Sequence, residues 1–249
     1  MTLKKPNGCV IWEGLSLVDS SPLVILLTGL EIPSANRKTG WMLQTYVLRQ
    51  DILPTSAIAT REDYSTCGDC PLRHKVCYVN MAPVNNVWRM YKQGQYPNID
   101  GQILQQIEHR QQMLRITAYG DAASTPIEAW KPLLEKVRAW TGYTHQWRNC
   151  DSRWRNFLMA SVESKADREQ AKSLGWRTFR IVSNQDDLDK SEILCRHVHS
   201  EKIQCENCGL CDGGKGCDIA DPVHGLNWKQ ENFNSQVESR KSQLKTIVQ

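Results

Sequence analysis

Ten cysteines, most of them in two sets, constrain this chain more than any other feature. The first set is Cys67-Gly-Asp-Cys70-Pro-Leu-Arg-His-Lys-Val-Cys77, in which Gly68, Asp69 and Pro71 bend the backbone between thiols. The second is Cys205-Glu-Asn-Cys208-Gly-Leu-Cys211, with Cys195 before it and Cys217 after it. Clustering of this kind serves a disulfide framework or a metal, and the cellular compartment decides between them. Near the start, Asn7, Gly8, Glu13 and Asp19 interrupt any apolar signal segment, so no export signal is read. The expected location is the cytoplasm, where thiols stay reduced, and the cysteines are therefore expected to bind metal.

The second set puts three thiolates one short turn apart, and Gly209, Gly213 and Gly214 permit tight bends around them. Cys195 or Cys217 can supply a fourth ligand, and His197, His199 and His224 lie near in sequence. Four thiolates make a closed site for zinc or for a [4Fe-4S] cluster. The doubled two-residue spacing is closer to ferredoxin-type ligation than to a zinc ribbon, whose pairs are well separated. Iron–sulfur is thus the first expectation and zinc the alternative. The first set, Cys67, Cys70 and Cys77, has no adjacent fourth cysteine. Either it leaves a coordination position open, as a reactive cluster or a catalytic zinc requires, or His74 or Cys150 completes it.

Between the two sets runs a pattern of alternating strands and helices. Leu114–Tyr119 reads as a strand, followed by Thr125-Pro-Ile-Glu128 as a capping box. Ile127, Trp130, Leu133, Leu134, Val137 and Trp140 recur at helical spacing, which predicts a helix stopped by Gly142 and followed by a strand over Tyr143–Trp147. The pattern repeats with a strand at Phe157–Val162, a helix capped by Ser164 and a strand at Trp176–Val182. Tight links between such units predict right-handed βαβ crossovers. The expected fold class is α/β: an incomplete (β/α) barrel or open parallel sheet over residues 1–190, carrying the first cysteine set. A cysteine-rich metal module at 191–228 and a polar tail at 229–249 follow. A full barrel typically takes about 250 residues by itself, so the chain is too short for one plus its cysteine segments.

In parallel sheets ligands bind beyond the carboxyl ends of the strands. The residues there include Gly120, Asp121, Arg148 and Glu163, of which Asp121, Arg148 and Glu163 are candidates to line a catalytic pocket. Gly120 would let backbone approach a ligand, and Asp121 or Glu163 could bind a ribose hydroxyl or an amine. His145, alternating with Tyr143 and Trp147, reads as a packed core histidine.

The layout resembles the radical-SAM enzymes: a three-cysteine motif, a partial (β/α) barrel and a C-terminal cysteine-rich segment. Arg115-Ile-Thr-Ala-Tyr-Gly-Asp-Ala-Ala-Ser-Thr-Pro126 is similar to the family's second-strand segment, which contacts the methionine amino group of S-adenosylmethionine. The resemblance implies an open cluster on Cys67, Cys70 and Cys77, amine contacts from Gly120 and Asp121, and a closed auxiliary cluster on Cys195, Cys205, Cys208 and Cys211. The cysteine spacing here is two then six, where the family has three then two, and an aspartate stands where it has glutamate. The chain also resembles cysteine-rich proteins encoded by bacteriophages and mobile elements.

Two rival readings share these residues. One is a zinc-stapled protein without catalysis that binds nucleic acid or a host protein, with Trp147, Arg148, Arg153, Trp154 and Arg155 supplying stacking and phosphate contacts. The net charge of +4 permits nucleic-acid contact without arguing for it. The other is a redox sensor that loses its cluster on oxidation. No apolar run approaches the roughly 20 residues of a membrane span, so no membrane partner is expected.

Overall fold

The computed structural model describes residues 5–73, 76–77, 79–184, 187–214, 216–223, 227–228 and 230–235. Its frame is one open nine-stranded sheet in the order β1-β2-β3-β4-β5-β6-β7-β9-β8. The strands are β1 (Gly8–Leu15), β2 (Pro22–Thr28), β3 (Leu43–Arg49), β4 (Met113–Tyr119), β5 (Ala139–Thr144), β6 (Met159–Val162), β7 (Thr178–Val182), β8 (Glu192–Leu194) and β9 (Asp218–Pro222). Strands β1 to β3 form an antiparallel meander, and every pairing from β3 to β8 is parallel. The edges β1 and β8 do not pair, so of the two expected forms the sheet is the open one.

From β3 to β7 each parallel strand is laid beside the last in the same direction. With right-handed crossovers, that order puts the helices that lead directly into β4, β5 and β7 on one face. Accordingly α4 (Gly101–Arg110), α5 (Lys131–Leu134) and α6 (Lys165–Ser173) pack on one side through Ile107, Leu133, Leu134 and Ala171. They meet Leu43, Leu114, Ile116, Leu158, Ala160 and Val162, the alternate residues of the strands that point outward. The opposite, inner face presents Tyr46 and Leu48 to α3 (Met81–Lys92), and Met159, Phe179, Ile181 and Ile219 farther along the sheet.

The order reverses once, because β9 sits inside β8. A right-handed crossover running backwards must cross the other face. The connection from β8 to β9 does so, and Leu210, Cys211 and Cys217 pack on Phe179 and Ile181. The cysteine-rich segment thus supplies β8 and β9 to the same sheet and drapes its own crossover over the inner face.

The helix expected from Thr125 to Trp140 is not formed as such. Thr125 Oγ1 donates to the Ala122 carbonyl and accepts from Trp130 Nε1, so it caps no helix. A 3-10 turn covers Ile127–Ala129 and only α5 is α-helical, with Pro132 in its first turn. Proline lacks the N–H that a continuous helix would direct at Glu128. The chain is then extended from Ala139, so Trp140 and Gly142 lie inside β5 and the strand ends at Thr144, before His145. Farther upstream, α1 (Pro54–Thr60) begins with its proline in the first turn. The Ser164 cap holds: its Oγ accepts from Asp167 N, and α6 follows. Of the polar tail, 229 and 236–249 lie outside the described residues, and Phe233 is buried against the inner face.

Buried ion pairs fasten the reversed edge. Arg180, 1% exposed, donates to both Glu192 oxygens at 2.8 and 2.6 Å. Arg168 and Lys172 of α6 both reach Asp218 Oδ2, at 2.8 and 2.6 Å. Removing one partner of a buried pair leaves an uncompensated charge. Glu192→Ala should therefore destabilise the fold by about 3–5 kcal/mol in urea unfolding, while Glu128→Ala, at an exposed pair with Arg153, should leave the midpoint where it is.

Candidate metal centres

The first centre stands at the carboxyl ends of β4 and β5. A short helix, α2 (Tyr64–Cys67), delivers Cys67, and Gly68 turns the chain at φ +53° toward Cys70. Arg73 fixes this loop: it pairs with the buried Asp63 at 2.6 Å and donates to the carbonyls of Arg61 and Gly68. A bulge in β4 aims the strand end at the loop. Gln44 and Tyr46 of β3 oppose Arg115 and Tyr119, so β4 carries extra residues there, and Thr117 takes φ +60°. That conformation is rare for a β-branched residue. Thr45 Oγ1 holds it, accepting from Thr117 N and donating to the Arg115 carbonyl. Asp121 N then donates to the Thr66 carbonyl at 2.7 Å, docking the cysteine loop on the strand end.

Around this loop the thiols of Cys67, Cys70 and Cys77 are near enough for their charges to couple, and burial pushes the Cys67 thiol well up. The His145 ring meets Glu163 Oε1 through Nε2 at 2.9 Å, and the Cys70 thiol is close enough to act on its charge. Burial alone would lower its pKa, but Cys70 and Glu163 outweigh that and raise it. Gln146 lies over Gly68, and its Nε2 is buried with no partner among the described residues. An orphaned donor beside a thiol loop suits an anionic group held there.

The second centre lies on the inner face, beside β5 and the carboxyl end of β8. Tyr143, Thr141, Cys195, Cys205, Cys208 and Cys211 surround a cavity of about 30 Å3 with an almost wholly apolar lining. A single water needs roughly 10–15 Å3, so the space accommodates more than one light atom. Cys205 and Cys208 bound the short α8 (Cys205–Cys208), and Gly209 ends it in the left-handed region. Gly142 N donates to the Cys211 carbonyl at 3.0 Å and Trp140 Nε1 to the Asp212 carbonyl at 2.8 Å. Arg177 clamps the segment through the carbonyls of Leu210 and Cys217 and the Asp212 carboxylate. From the other side Lys38 enters the cavity, paired with Asp221 at 2.6 Å. Burial would lower the pKa of Lys38, but Asp221 and the thiols of Cys195 and Cys205 raise it. Burial raises the thiols of Cys195, Cys205 and Cys211.

Four thiols and a lysine that would offset negative charge thus line one cavity. Cys217 points its carbonyl at Arg177 and packs on the inner core, while Cys195 lines the cavity, so Cys195 is the better fourth ligand. Among the described residues, no group of three or more His, Cys, Asp or Glu side chains is placed to hold a metal ion.

Asp121 is 4% exposed and already accepts from Ala123 N, Thr144 Oγ1 and His145 N, so it organises the strand ends. Gly120, at φ +80°, is needed because a Cβ would sit 2.5 Å from the Val47 carbonyl. Arg148 stacks on Trp147 and pairs with Asp167 at the surface, away from both centres. Glu163 is buried against His145, the residue that the strand pattern had assigned to packing alone. Cys150 packs with the outer core beside Asp121, its thiol pushed up to about 12 by burial, and does not join Cys67. His74 and His224 lie outside the described residues. Trp147 and Trp154 are 3% and 1% exposed, which overturns their use as stacking platforms for nucleic acid. No helix among the described residues is long and apolar enough to cross a membrane.

Comparison with known proteins adds no relative: no family model matches the chain, and no curated protein or solved structure is significantly similar to it.

Raised thiol pKa values have a stability consequence. Between about pH 8.5 and the raised native values, the unfolded chain has lost thiol protons that the metal-free fold retains, so stability falls as pH rises. Metal-free protein under reductant should show a urea midpoint that drops from pH 7.5 to 9.5. Filling the sites should flatten that slope, because the bound thiolates no longer carry protons.

Proposed function

We propose that the chain is an iron–sulfur protein of the radical-SAM type, with an open cluster on Cys67, Cys70 and Cys77 and a closed one on Cys195, Cys205, Cys208 and Cys211. One observation carries this reading. Two cysteine sets far apart in the sequence fold onto a single face of an open, mainly parallel sheet, and Cys70, Cys195 and Cys211 pack on the same core. The first set lies at the carboxyl ends of the strands, where α/β sheets bind their ligands. With only three cysteines there, one position of the metal group is left for a small molecule such as S-adenosylmethionine. A bound cluster of this kind supplies single electrons for radical chemistry.

The protein's own residues would set the conditions. His145 donates toward Cys70 and is held by Glu163, which steadies the sulfur nearest the rim. Gln146 Nε2 offers a donor to negative charge, and Asp121 locks the turn after β5 so that both side chains face the loop. The apolar lining and Lys38 shield the second centre from water and balance its thiolates.

A second reading has its own support. A histidine whose Nε2 meets a buried carboxylate is held as zinc-ligating imidazoles are, which leaves its other ring nitrogen for a metal. In that case Cys67, Cys70, Cys77 and His145 would form a zinc site. Anaerobic purification with iron, sulfide and zinc analysis separates the two. On the cluster reading the protein is brown with about eight irons, Cys70→Ala lowers the count by about four, and His145→Gln keeps the irons while shifting the reduction potential. A colourless protein whose zinc falls by one in His145→Gln would establish the zinc site and remove the radical chemistry.

A further inference from the structure

The wall of the second centre holds one donor more than the four thiols. His197 lies around the same cavity as Cys195, Cys205, Cys208 and Cys211. It comes from α7 (Arg196–His199), a single turn that starts directly after Cys195. Cys195 is fastened to the sheet edge, where its N–H donates to the Ala220 carbonyl at 2.8 Å, and its own carbonyl accepts from Val198 N at 2.9 Å. One hydrogen-bonded turn thus delivers both Cys195 and His197 to the cavity.

The imidazole is held as a ligand's would be. Its Nδ1 lies 2.9 Å from the Ile203 carbonyl oxygen. A carbonyl only accepts, so Nδ1 carries the proton, and in a neutral ring the lone pair then sits on Nε2. No hydrogen bond or ion pair among the described residues engages Nε2. Metal-ligating histidines are commonly oriented in this way, by a backbone carbonyl on the nitrogen that does not bind. Ile203 also lines the cavity and stands two residues before Cys205, so the ring is tied to the backbone that carries the thiols. His199, on the same turn, is exposed and takes no part in the wall.

A tetrahedral site takes four donors, and five meet here. Cys205, Cys208 and Cys211 arrive from one short stretch, and Cys195 and His197 from the other. The two differ in charge. Asp221 opposes a thiolate at Cys195, Lys38 favours one, and an imidazole in that position adds no charge at all. The surroundings therefore accept either donor.

We propose that His197 is a reserve ligand of the second centre, its Nε2 taking the fourth position when the Cys195 thiolate does not hold it. The inference rests on the reading that Cys195, Cys205, Cys208 and Cys211 bind a metal group, and it adds a donor to that set. The centre then has two states that differ by one negative charge and keep the metal in both.

Cadmium is the probe, loaded under reductant into the full-length, metal-free protein. Each bound cadmium gives its own NMR resonance, which moves to lower frequency when a nitrogen replaces a thiolate. The resonance of the second centre is the one that Cys208→Ala removes. Cys195→Ala should keep this resonance, shifted to lower frequency, and adding His197→Asn to that variant should weaken cadmium binding by at least about tenfold. Asparagine retains a donor for the Ile203 carbonyl, so the turn stays held while the ligand nitrogen is lost. His197→Asn alone should leave the resonance in place, and His199→Asn added to Cys195→Ala should change nothing. Circular dichroism verifies that each variant is folded. Loss of the resonance in Cys195→Ala, or a double variant that binds as tightly as Cys195→Ala, would overturn the reserve ligand and leave the four-thiol centre standing. If Cys208→Ala removes no resonance from the wild-type set, the metal reading on which the inference rests fails with it.

Discussion

A parallel sheet is apolar on both faces and must be covered on both. In this protein the outer face is covered in the ordinary way, by α4, α5 and α6. The inner face is not. Over Met159, Phe179, Ile181 and Ile219 lie two long loops, contributing Leu72, Val76 and Leu210, and Phe233 of the C-terminal segment. A few such side chains, at roughly 1.5–3 kcal/mol each when fully buried, give limited stability against the entropy of ordering two long loops. The same loops carry the cysteines. On the proposed reading, metal ligation would supply free energy where the hydrophobic layer is thinnest, because binding to a site absent from the unfolded chain is itself folding energy.

What the sulfur sites do not hold, buried charge does. Arg73 with Asp63 sets the first loop, Arg177 gathers three oxygens of the second, and Arg168, Arg180 and Lys172 tie α6 and β7 to the reversed edge. Guanidinium groups dominate this work because one planar fork can satisfy several carbonyl and carboxylate oxygens at once. The loops therefore have defined shapes with little regular hydrogen bonding of their own.

Much of the frame was legible from residues alone. The runs at Leu114 and Phe157 contain strands because buried parallel strands read as unbroken apolar stretches, and Ser164 caps α6 because its hydroxyl meets a free backbone donor. The failure between Thr125 and Trp140 has a definite origin. Ile127, Trp130, Leu133, Leu134 and Val137 are all buried, as their helical spacing implied, but Pro132 divides the helix that the spacing suggested. Gly142 looked like a stop signal and is instead a strand residue over which Ile116 and Leu158 pack. That error displaced β5 by several residues and hid His145, which belongs beyond a strand end. The available signal was its pairing with Glu163, each lying just past the carboxyl end of neighbouring parallel strands. The arginines around Trp147 and Trp154 suggested a surface, whereas the indoles turn inward and only the guanidiniums remain outside.

The placement of β9 inside β8 also orders events in time. Strand β8 pairs only with β9, and β9 alone joins it to β7. As the polypeptide emerges during synthesis, Cys195 and β8 are made before any partner strand exists for them. They must wait, unpaired, until β9 has been translated and has docked on β7. Closure of the sheet edge and assembly of the four-thiol cavity are therefore one late step, and the nascent chain carries its C-terminal thiols exposed until that step is complete.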